Sequence, residues 1–236
     1  MASLNQEELA AWYARLEEHS EAYWRRCRTY VPDGLCGKRV LDVNCRRGKG
    51  AYKFAEAVGE SGFVLGCDPS RANVEAAKAG EAKALARAGL ASSNMDARVA
   101  FPEDLLAVAE EASFDLVYVN NSLNVAFSPD AVLAQAWRVL APGGTILCAT
   151  VCADGPRSAD VVAAARTLGN SVQAAPALAE LLAMLDTAGF ANPEVRVIEP
   201  ILASAGVEED TVCATVDTSE AVEFSEVLIT ATKPAV

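Results

Sequence analysis

Short apolar segments alternate with helical segments over most of the chain, and this alternation constrains the fold more than any other feature of the sequence. Three segments are typical of buried strands, namely RVLDV (39–43), GFVLGCD (62–68) and FDLVYVN (114–120). Residues 49–58 and 70–90 have helical patterns and lie between or beside them. Strands separated by helices of this length predict βαβ units and a mainly parallel sheet. We therefore expect an α/β protein.

The remaining segments extend the same pattern. Further strands are predicted at 97–101, 145–151, 194–199 and 223–232, and further helices at 129–140, 158–168 and 176–188. The last two strands are expected to pair antiparallel at one edge of the sheet. Asn5 and Glu8 form a capping-box pattern that opens a helix over 5–28. We therefore predict a helical N-terminal appendage at 1–34 and one α/β domain at 35–236.

Composition narrows the function classes. The chain has 236 residues and a formal charge of -12, which argues against a broad nucleic-acid surface because phosphate binding needs clustered Lys and Arg. No run of 18 apolar residues predicts a membrane span, and the first residues lack the pattern of a secretory signal. Seven cysteines without a CxxC pair, and a single histidine, predict neither a disulfide framework nor a zinc site. An intracellular, reducing compartment is expected, with the cytoplasm favoured and an organelle left open.

Polar residues follow the predicted strands at the edge where α/β proteins bind ligands. The first strand is followed by NCRRGKG (44–50), the second ends at Asp68, and the fourth leads into Asn121. A carboxylate at the end of the second strand can accept both ribose hydroxyls of a nucleoside ligand. The alternative is that Asp68 only complements the positive end of the helix that follows. Position alone does not separate these two roles.

Four segments carry a resemblance to a known family. They are VLDVNCRRGKG, VLGCDPSRANVEAAK, FDLVYVNNSLN and AWRVLAPGGTILCAT. In their order and spacing the chain resembles class I S-adenosylmethionine (SAM) methyltransferases, and most closely the arsenite methyltransferase branch. That resemblance implies a Rossmann-like fold with a seven-stranded, mostly parallel sheet, helices on both faces and an antiparallel last strand. It also implies SAM as the cofactor and a small molecule as the substrate.

The resemblance also implies roles for individual residues. Asp42, Cys45 and Gly48 match the glycine-rich cofactor loop, Asp68 matches the ribose-binding acid, and Pro69 follows it in the same turn. Glu103 or Asp104 matches the acid beside the adenine, and Asn121 matches the residue that lines the methyl-donor pocket. No metal site is implied.

The sequence departs from the family at two kinds of position. Asn44 and Arg46 stand where the loop normally has glycines, which allow a tight turn and a close approach of ligand. The cysteines that would bind arsenic correspond to Ala51, Ser171 and Val222, and a trivalent arsenical needs convergent thiolates. Cys152 and Cys213 remain as candidates for a displaced thiol site. Arsenite methylation is therefore not expected.

These departures lead to one favoured function and two alternatives. The favoured interpretation is a pseudoenzyme with impaired SAM binding and a structural or assembly role in a larger complex. In that case Trp12, Tyr13, Tyr23 and Trp24 would be the first surface to test for a protein partner, although they could equally cover the cofactor cleft. The first alternative is an active SAM-dependent methyltransferase of a small molecule. The second is an anion or nucleotide sensor built on the basic cluster of Arg46, Arg47 and Lys49, which could also be a solvated loop.

Overall fold

The computed structural model describes residues 4–23, 28–201 and 221–235, with the side chains of 19–23 left out. Within these ranges the helices are α1 (Gln6–Tyr23), α2 (Lys49–Val58), α3 (Arg71–Ala88), α4 (Pro129–Val139), α5 (Ala159–Leu168) and α6 (Leu178–Thr187). The strands are β1 (Arg39–Val43), β2 (Phe63–Asp68), β3 (Met95–Val99), β4 (Phe114–Asn120), β5 (Leu140–Ala153), β6 (Ala191–Ile201) and β7 (Phe224–Thr232). Trp24, Cys27 and Cys213 lie outside the described residues. No described helix is long and apolar enough to cross a membrane.

The described strands form one sheet in the order β3-β2-β1-β4-β5-β7-β6. The pairs among β1 to β5 are parallel, and β7 runs antiparallel to both of its neighbours. The chain order reverses between β1 and β4, and ligands of such sheets bind at this switch point. The predicted mostly parallel sheet with an antiparallel last strand is confirmed.

Apolar side chains fill a layer on each face of the sheet. On one face, α2 packs Phe54 and Val58 against Val64 and Leu116. On the other face, residues of α4 and α6, among them Leu133 and Leu181, join a larger cluster. Helices therefore lie on both faces, as the family resemblance implies, and the carboxyl ends of the central strands stay accessible between them.

Three strands differ from their predicted limits by more than one residue. β3 begins at Met95 because Asp96 points away from the core and pairs with Lys78 and Arg98, while Phe101 leaves the strand. β5 extends back to Leu140, across a register irregularity opposite 114–116. β6 spans 191–201 and contains two prolines. An edge strand tolerates proline because one side of its backbone forms no hydrogen bonds with a neighbouring strand.

Helix α1 packs on the carboxyl-end side of the sheet. Leu9 and Leu16 are buried, and Leu16 contacts a cluster with Val125 and Ala165 of the 3-10 turn after β4 and of α5. The Trp12 indole N–H donates to the carbonyl oxygen of Val125 at 3.0 Å, and its ring meets Phe127 edge to face. Trp12 therefore packs against the segment that follows β4.

Candidate functional site

The loop after β1 keeps a glycine-like backbone without the glycines. Asn44 has φ 55° and Arg46 has φ 50°, both in the left-handed region that favours glycine. Gly48 has φ 80° and forms the N-terminal cap of α2. The two substitutions therefore leave the loop in a strained but sharply turned conformation, and such outliers are common at ligand sites.

Asp68 ties this loop to the end of β2. One carboxylate oxygen, Oδ2, accepts a hydrogen bond from the Arg46 backbone N–H at 2.8 Å. The other, Oδ1, accepts from the Ser70 backbone N–H and from Asn73 Nδ2, each at 3.0 Å. Burial raises the pKa of Asp68, and these hydrogen bonds oppose the rise. A carboxylate has about four acceptor positions, so capacity remains for a further donor such as a ribose hydroxyl.

Asp42 is a second buried carboxyl group at the end of β1. It is 3% exposed, and its Oδ2 has no hydrogen-bond partner among the described residues. Burial, with a smaller contribution from the charge of Asp68, raises the pKa of Asp42 to about 8. A Cβ on Gly50 would lie 2.6 Å from this same oxygen, so the absence of a side chain at Gly50 gives the carboxyl group its space.

Two cavities adjoin at the loop. The first, of about 390 Å³, is lined by Asp68, Pro69, Asn73 and Phe101 together with residues of α1. The second, of about 460 Å³, is lined by Asp42, Cys45, Asn121 and a set of basic side chains. Asn44 and Arg46 line both cavities and therefore form the wall between them. Each cavity is in the size range of small-molecule sites.

Helix α1 holds both acids that follow β3. The Tyr13 hydroxyl lies 2.9 and 3.0 Å from the two oxygens of Glu103, and the Tyr13 ring stacks on Phe101. Gln6 Nε2 donates to Asp104 Oδ2 at 2.9 Å. Burial raises the pKa of Glu103, and hydrogen bonds from Ser128 and Tyr13 oppose the rise. Of the two predicted adenine-side acids, Glu103 is the buried one, and both contact α1.

Asn121 lies in a buried polar cluster beyond β4. Its φ is 48°, and its Nδ2 donates to the Ser171 hydroxyl at 3.0 Å. Asn124 Nδ2 donates to the carbonyl oxygens of Val151 and Ser171, each at 2.9 Å. The segment that contains Ser171 therefore packs directly against Asn121, the residue predicted to line the methyl-donor pocket.

Two predicted site residues support the loop through packing. The Cys45 sulfur packs over Gly66 of β2. A Cβ on Gly66 would lie only 2.8 Å from this sulfur, so the sulfur fills the space that a side chain would take. A Cβ on Gly48 would lie 2.9 Å from the Tyr52 ring. Burial raises the pKa of the Cys45 thiol far above its ordinary value, which keeps it protonated and unreactive.

Sequence reasoning missed five residues of the second cavity, namely Arg28, Thr29, Lys53, Tyr118 and Asn120. A signal existed for two of them. Lys53 follows Lys49 by four residues on one helix and so shares its face, and Asn120 directly precedes the predicted Asn121. Nothing in the sequence connects Arg28 with β4, because only the fold brings them together.

The positions of the expected arsenic ligands lie in different surroundings. Ala51 belongs to the apolar cluster under α2, Ser171 contacts Asn121, and Val222 packs against a cluster with Val172 and Phe224. Cys152 is buried, and burial raises the pKa of its thiol to about 12. Over the described ranges, no group of three or more His, Cys, Asp or Glu side chains could hold a metal ion.

Comparisons with known proteins agree with this geometry. Residues 36–197 match the family described as "Methyltransferase domain". The chain is 34% identical over 151 residues to an arsenite methyltransferase from Aquipseudomonas alcaligenes, which covers 62% of this chain and 43% of the relative. It is 30% identical over 131 residues to an arsenite methyltransferase from Mus musculus, covering 55% of this chain and 35% of the relative. The alignments thus span less than half the length of these two curated relatives.

A solved structure is similar over almost the whole chain. The arsenic(III) SAM methyltransferase CrArsM from Chlamydomonas reinhardtii superposes with a TM-score of 0.74 at 31% identity, covering 96% of this chain and 74% of that one.

Proposed function

The chain belongs to the methyltransferase-domain family, and we propose that it is a SAM-dependent methyltransferase that acts on a small molecule other than arsenite. The observation that carries the proposal is the pair of adjoining cavities at the carboxyl ends of β1, β2 and β4, each with a buried carboxyl group. SAM is the cofactor.

The first cavity fits the nucleoside part of SAM. Asp68 keeps acceptor capacity for a ribose hydroxyl after its three hydrogen bonds within the chain. Pro69 and Phe101 supply apolar walls for a base, and Glu103 lies behind Tyr13 at the far side. These are the groups that a neutral, aromatic and hydroxyl-bearing ligand requires.

The second cavity fits the amino-acid part. The unpartnered Oδ2 of Asp42 can accept from an ammonium group, and a bound cation would restore the ionised form of this buried acid. Arg46 and Arg47 line the same cavity and supply positive charge for a carboxylate. Asn44 and Arg46 already adopt the backbone conformation of the glycines they replace, so the loop can still turn around a ligand.

The chemistry required of the chain itself is mainly positioning. When bound, SAM supplies a sulfonium methyl group that an acceptor lone pair takes up, leaving a neutral thioether. Asp42 and Asp68 fix the two ends of the site, and Asn121, held by Ser171, lines the cavity beside them. Correct placement of two reactants supplies a large part of the rate in such transfers.

The same geometry argues against arsenite as the acceptor. Ser171 stands where the resemblance expects a thiol, and it accepts a hydrogen bond from Asn121 inside the protein. The described thiols near this edge have raised pKa values and so carry little thiolate, which is the form that binds a soft metalloid.

A second candidate is the pseudoenzyme with a structural or assembly role. Its supporting observation is the wall between the cavities, because Arg46 places a long side chain where a continuous ligand would pass. Under this hypothesis the shape of the site is retained while its ligand affinity is lost.

Calorimetric titration with SAM and S-adenosylhomocysteine tests the proposal against this candidate. We expect micromolar binding, about -8 kcal/mol, and a loss of roughly tenfold or more for Asp68→Asn. Asp33→Asn is the matched control, because Asp33 is exposed and remote from both cavities. An absence of heat and of any thermal shift at millimolar ligand would reject the proposal in favour of the pseudoenzyme.

A further inference from the structure

The second cavity concentrates positive charge in a strongly acidic chain. Its lining contains five cationic residues and one acidic residue, Asp42. The cations are Arg28, Arg46, Arg47, Lys49 and Lys53. The whole chain has 20 Lys and Arg against 32 Asp and Glu, so a quarter of its cations line one cavity. Clustered like charges repel one another unless an anion is present.

Two of these cations also oppose the helix on which they lie. Lys49 is the first residue of α2 and Lys53 lies one turn later, and the first turn contains no acidic residue. The amino end of a helix has a partial positive charge, so cations there are destabilising. Local rules are broken in this way mostly where function requires it.

Three of the five cations have no carboxylate partner in the described part of the chain. Among the residues that the structure describes, Arg47, Lys49 and Lys53 form no ion pair with a carboxylate. Cations elsewhere on the surface do, as Lys38 does with Asp115 and Lys78 with Asp96. The charge of these three side chains is therefore available to a ligand.

The cluster extends beyond what the methionine part of SAM requires. Arg28 lies across the sheet from the loop, where its carbonyl oxygen accepts from the Tyr118 hydroxyl and from Asn120 Nδ2, each at 3.4 Å. Lys53 lies a helical turn beyond the loop. The carboxylate of the methionine part needs only one or two of the five cations. The other cations border the space between α2 and β4.

We propose that this space binds the methyl acceptor, and that the acceptor is a small molecule with a carboxylate or phosphate group held by Arg28, Lys49 and Lys53. The inference rests on the proposed function and names the substrate class of the same site. An anion there would neutralise the cluster and leave the other end of the acceptor towards Asn121, where the methyl group is expected.

Anion binding by the intact chain tests the proposal without measuring catalysis. Phosphate and citrate would be titrated at constant ionic strength, with chloride as the reference, first alone and then with saturating S-adenosylhomocysteine. We expect calorimetry to show saturable anion binding, accompanied by a rise in melting temperature. This binding should persist when S-adenosylhomocysteine is bound. The anion that binds more tightly, phosphate or citrate, indicates whether the acceptor has a phosphate or a carboxylate group.

A pair of variants locates the site. Lys49→Gln combined with Lys53→Gln should weaken anion binding roughly tenfold or more, since hydrogen bonds to charged groups are worth about 1.5–3 kcal/mol. Lys83→Gln is the matched control, because Lys83 is an exposed lysine of α3 away from both cavities. Melting temperatures of all variants in chloride show whether each one folds.

The outcomes separate this inference from the proposed function. Competition between the anion and S-adenosylhomocysteine would place the anion in the methionine subsite and overturn the inference. Equal anion affinity in the double variant and in the wild-type chain would also overturn it. If S-adenosylhomocysteine fails to bind while lysine-dependent anion binding remains, the proposed function fails and the anion site stands.

Discussion

The Tyr13 hydroxyl donates to the buried carboxylate of Glu103, at 2.9 and 3.0 Å from its two oxygens, and so fastens α1 to the loop after β3. Glu103 is 3% exposed and also accepts from the Ser128 backbone N–H at 3.2 Å. Removing a hydrogen-bond donor from a buried carboxylate lowers the free energy of unfolding by more than an average hydrogen bond contributes. The contact therefore stabilises the cover over the first cavity.

This contact predicts a measurable coupling. Tyr13→Phe should lower the free energy of unfolding by about 1–3 kcal/mol, because Glu103 stays buried with one donor fewer. Urea denaturation of Tyr13→Phe, Glu103→Gln and the double variant gives the coupling energy, expected between about 0.5 and 3 kcal/mol. Additive effects of the two substitutions would show that the hydrogen bond does not hold the helix.

Arg46→Gly tests whether the loop already has its functional conformation. Because φ is already 50° at this position, glycine should fit without rearrangement and change the free energy of unfolding by about 1 kcal/mol or less. Affinity for S-adenosylhomocysteine, measured by calorimetry, should change by less than about tenfold, or 1.4 kcal/mol.

Ala112→Gly is the control for this substitution, since Ala112 has φ 51° and lies away from both cavities. It should match Arg46→Gly in stability and leave ligand affinity unchanged. Appearance of strong ligand binding only in Arg46→Gly would support the pseudoenzyme instead.

The raised pKa of Asp42 predicts that stability falls with pH. An unfolded aspartate titrates near 3.8 and the folded Asp42 near 8, so the native state binds the extra proton between these values. Stability contributed by this group is full below the lower value and lost as pH rises through the upper one. The slope from this group is at most about 1.4 kcal/mol per pH unit.

Urea unfolding between pH 5 and 8 measures that slope. Asp42→Asn should reduce it and be more stable than the wild-type chain at pH 8, whereas Asp33→Asn should keep the wild-type slope. A wild-type stability that rises steadily over this range would contradict the assignment.

Binding of S-adenosylhomocysteine at pH 7 should release a proton. The ammonium group of the ligand favours the ionised form of Asp42, whose pKa of about 8 leaves it mostly protonated in the free chain. Calorimetry in Bis-Tris and in Tris, which differ in ionisation enthalpy and contain no acidic group, should give different apparent heats. In Asp42→Asn this buffer dependence should largely disappear, even if the remaining affinity is weaker.

The limits of several elements follow from local sequence. β1, α2 and β4 have the predicted bounds, and the Ser70 side chain caps α3. Apolar periodicity, a capping hydroxyl and a closing glycine each act within a few residues, so these limits are local. The predicted start of β3 is wrong by two residues, because an aspartate such as Asp96 is more typical of a turn than of a strand. Asp96 fits in the strand because its side chain forms ion pairs with Lys78 and Arg98.

The site divides in the same way. The sequence by itself determined which polar residues lie at the end of each strand, since position at a strand end is a local property. Asp42, Asp68 and Asn121 are among the residues that it predicts, and they line the two cavities. Only the tertiary structure decided that Tyr13 fastens to Glu103, 90 residues away, and that Arg28 joins Lys53 around one cavity. It also decided that Asn44 and Arg46 adopt the left-handed turn, because the hydrogen bond from Arg46 to Asp68 depends on strands that are distant in the chain and adjacent in the sheet. Such contacts depend on chain topology, which local propensities do not encode.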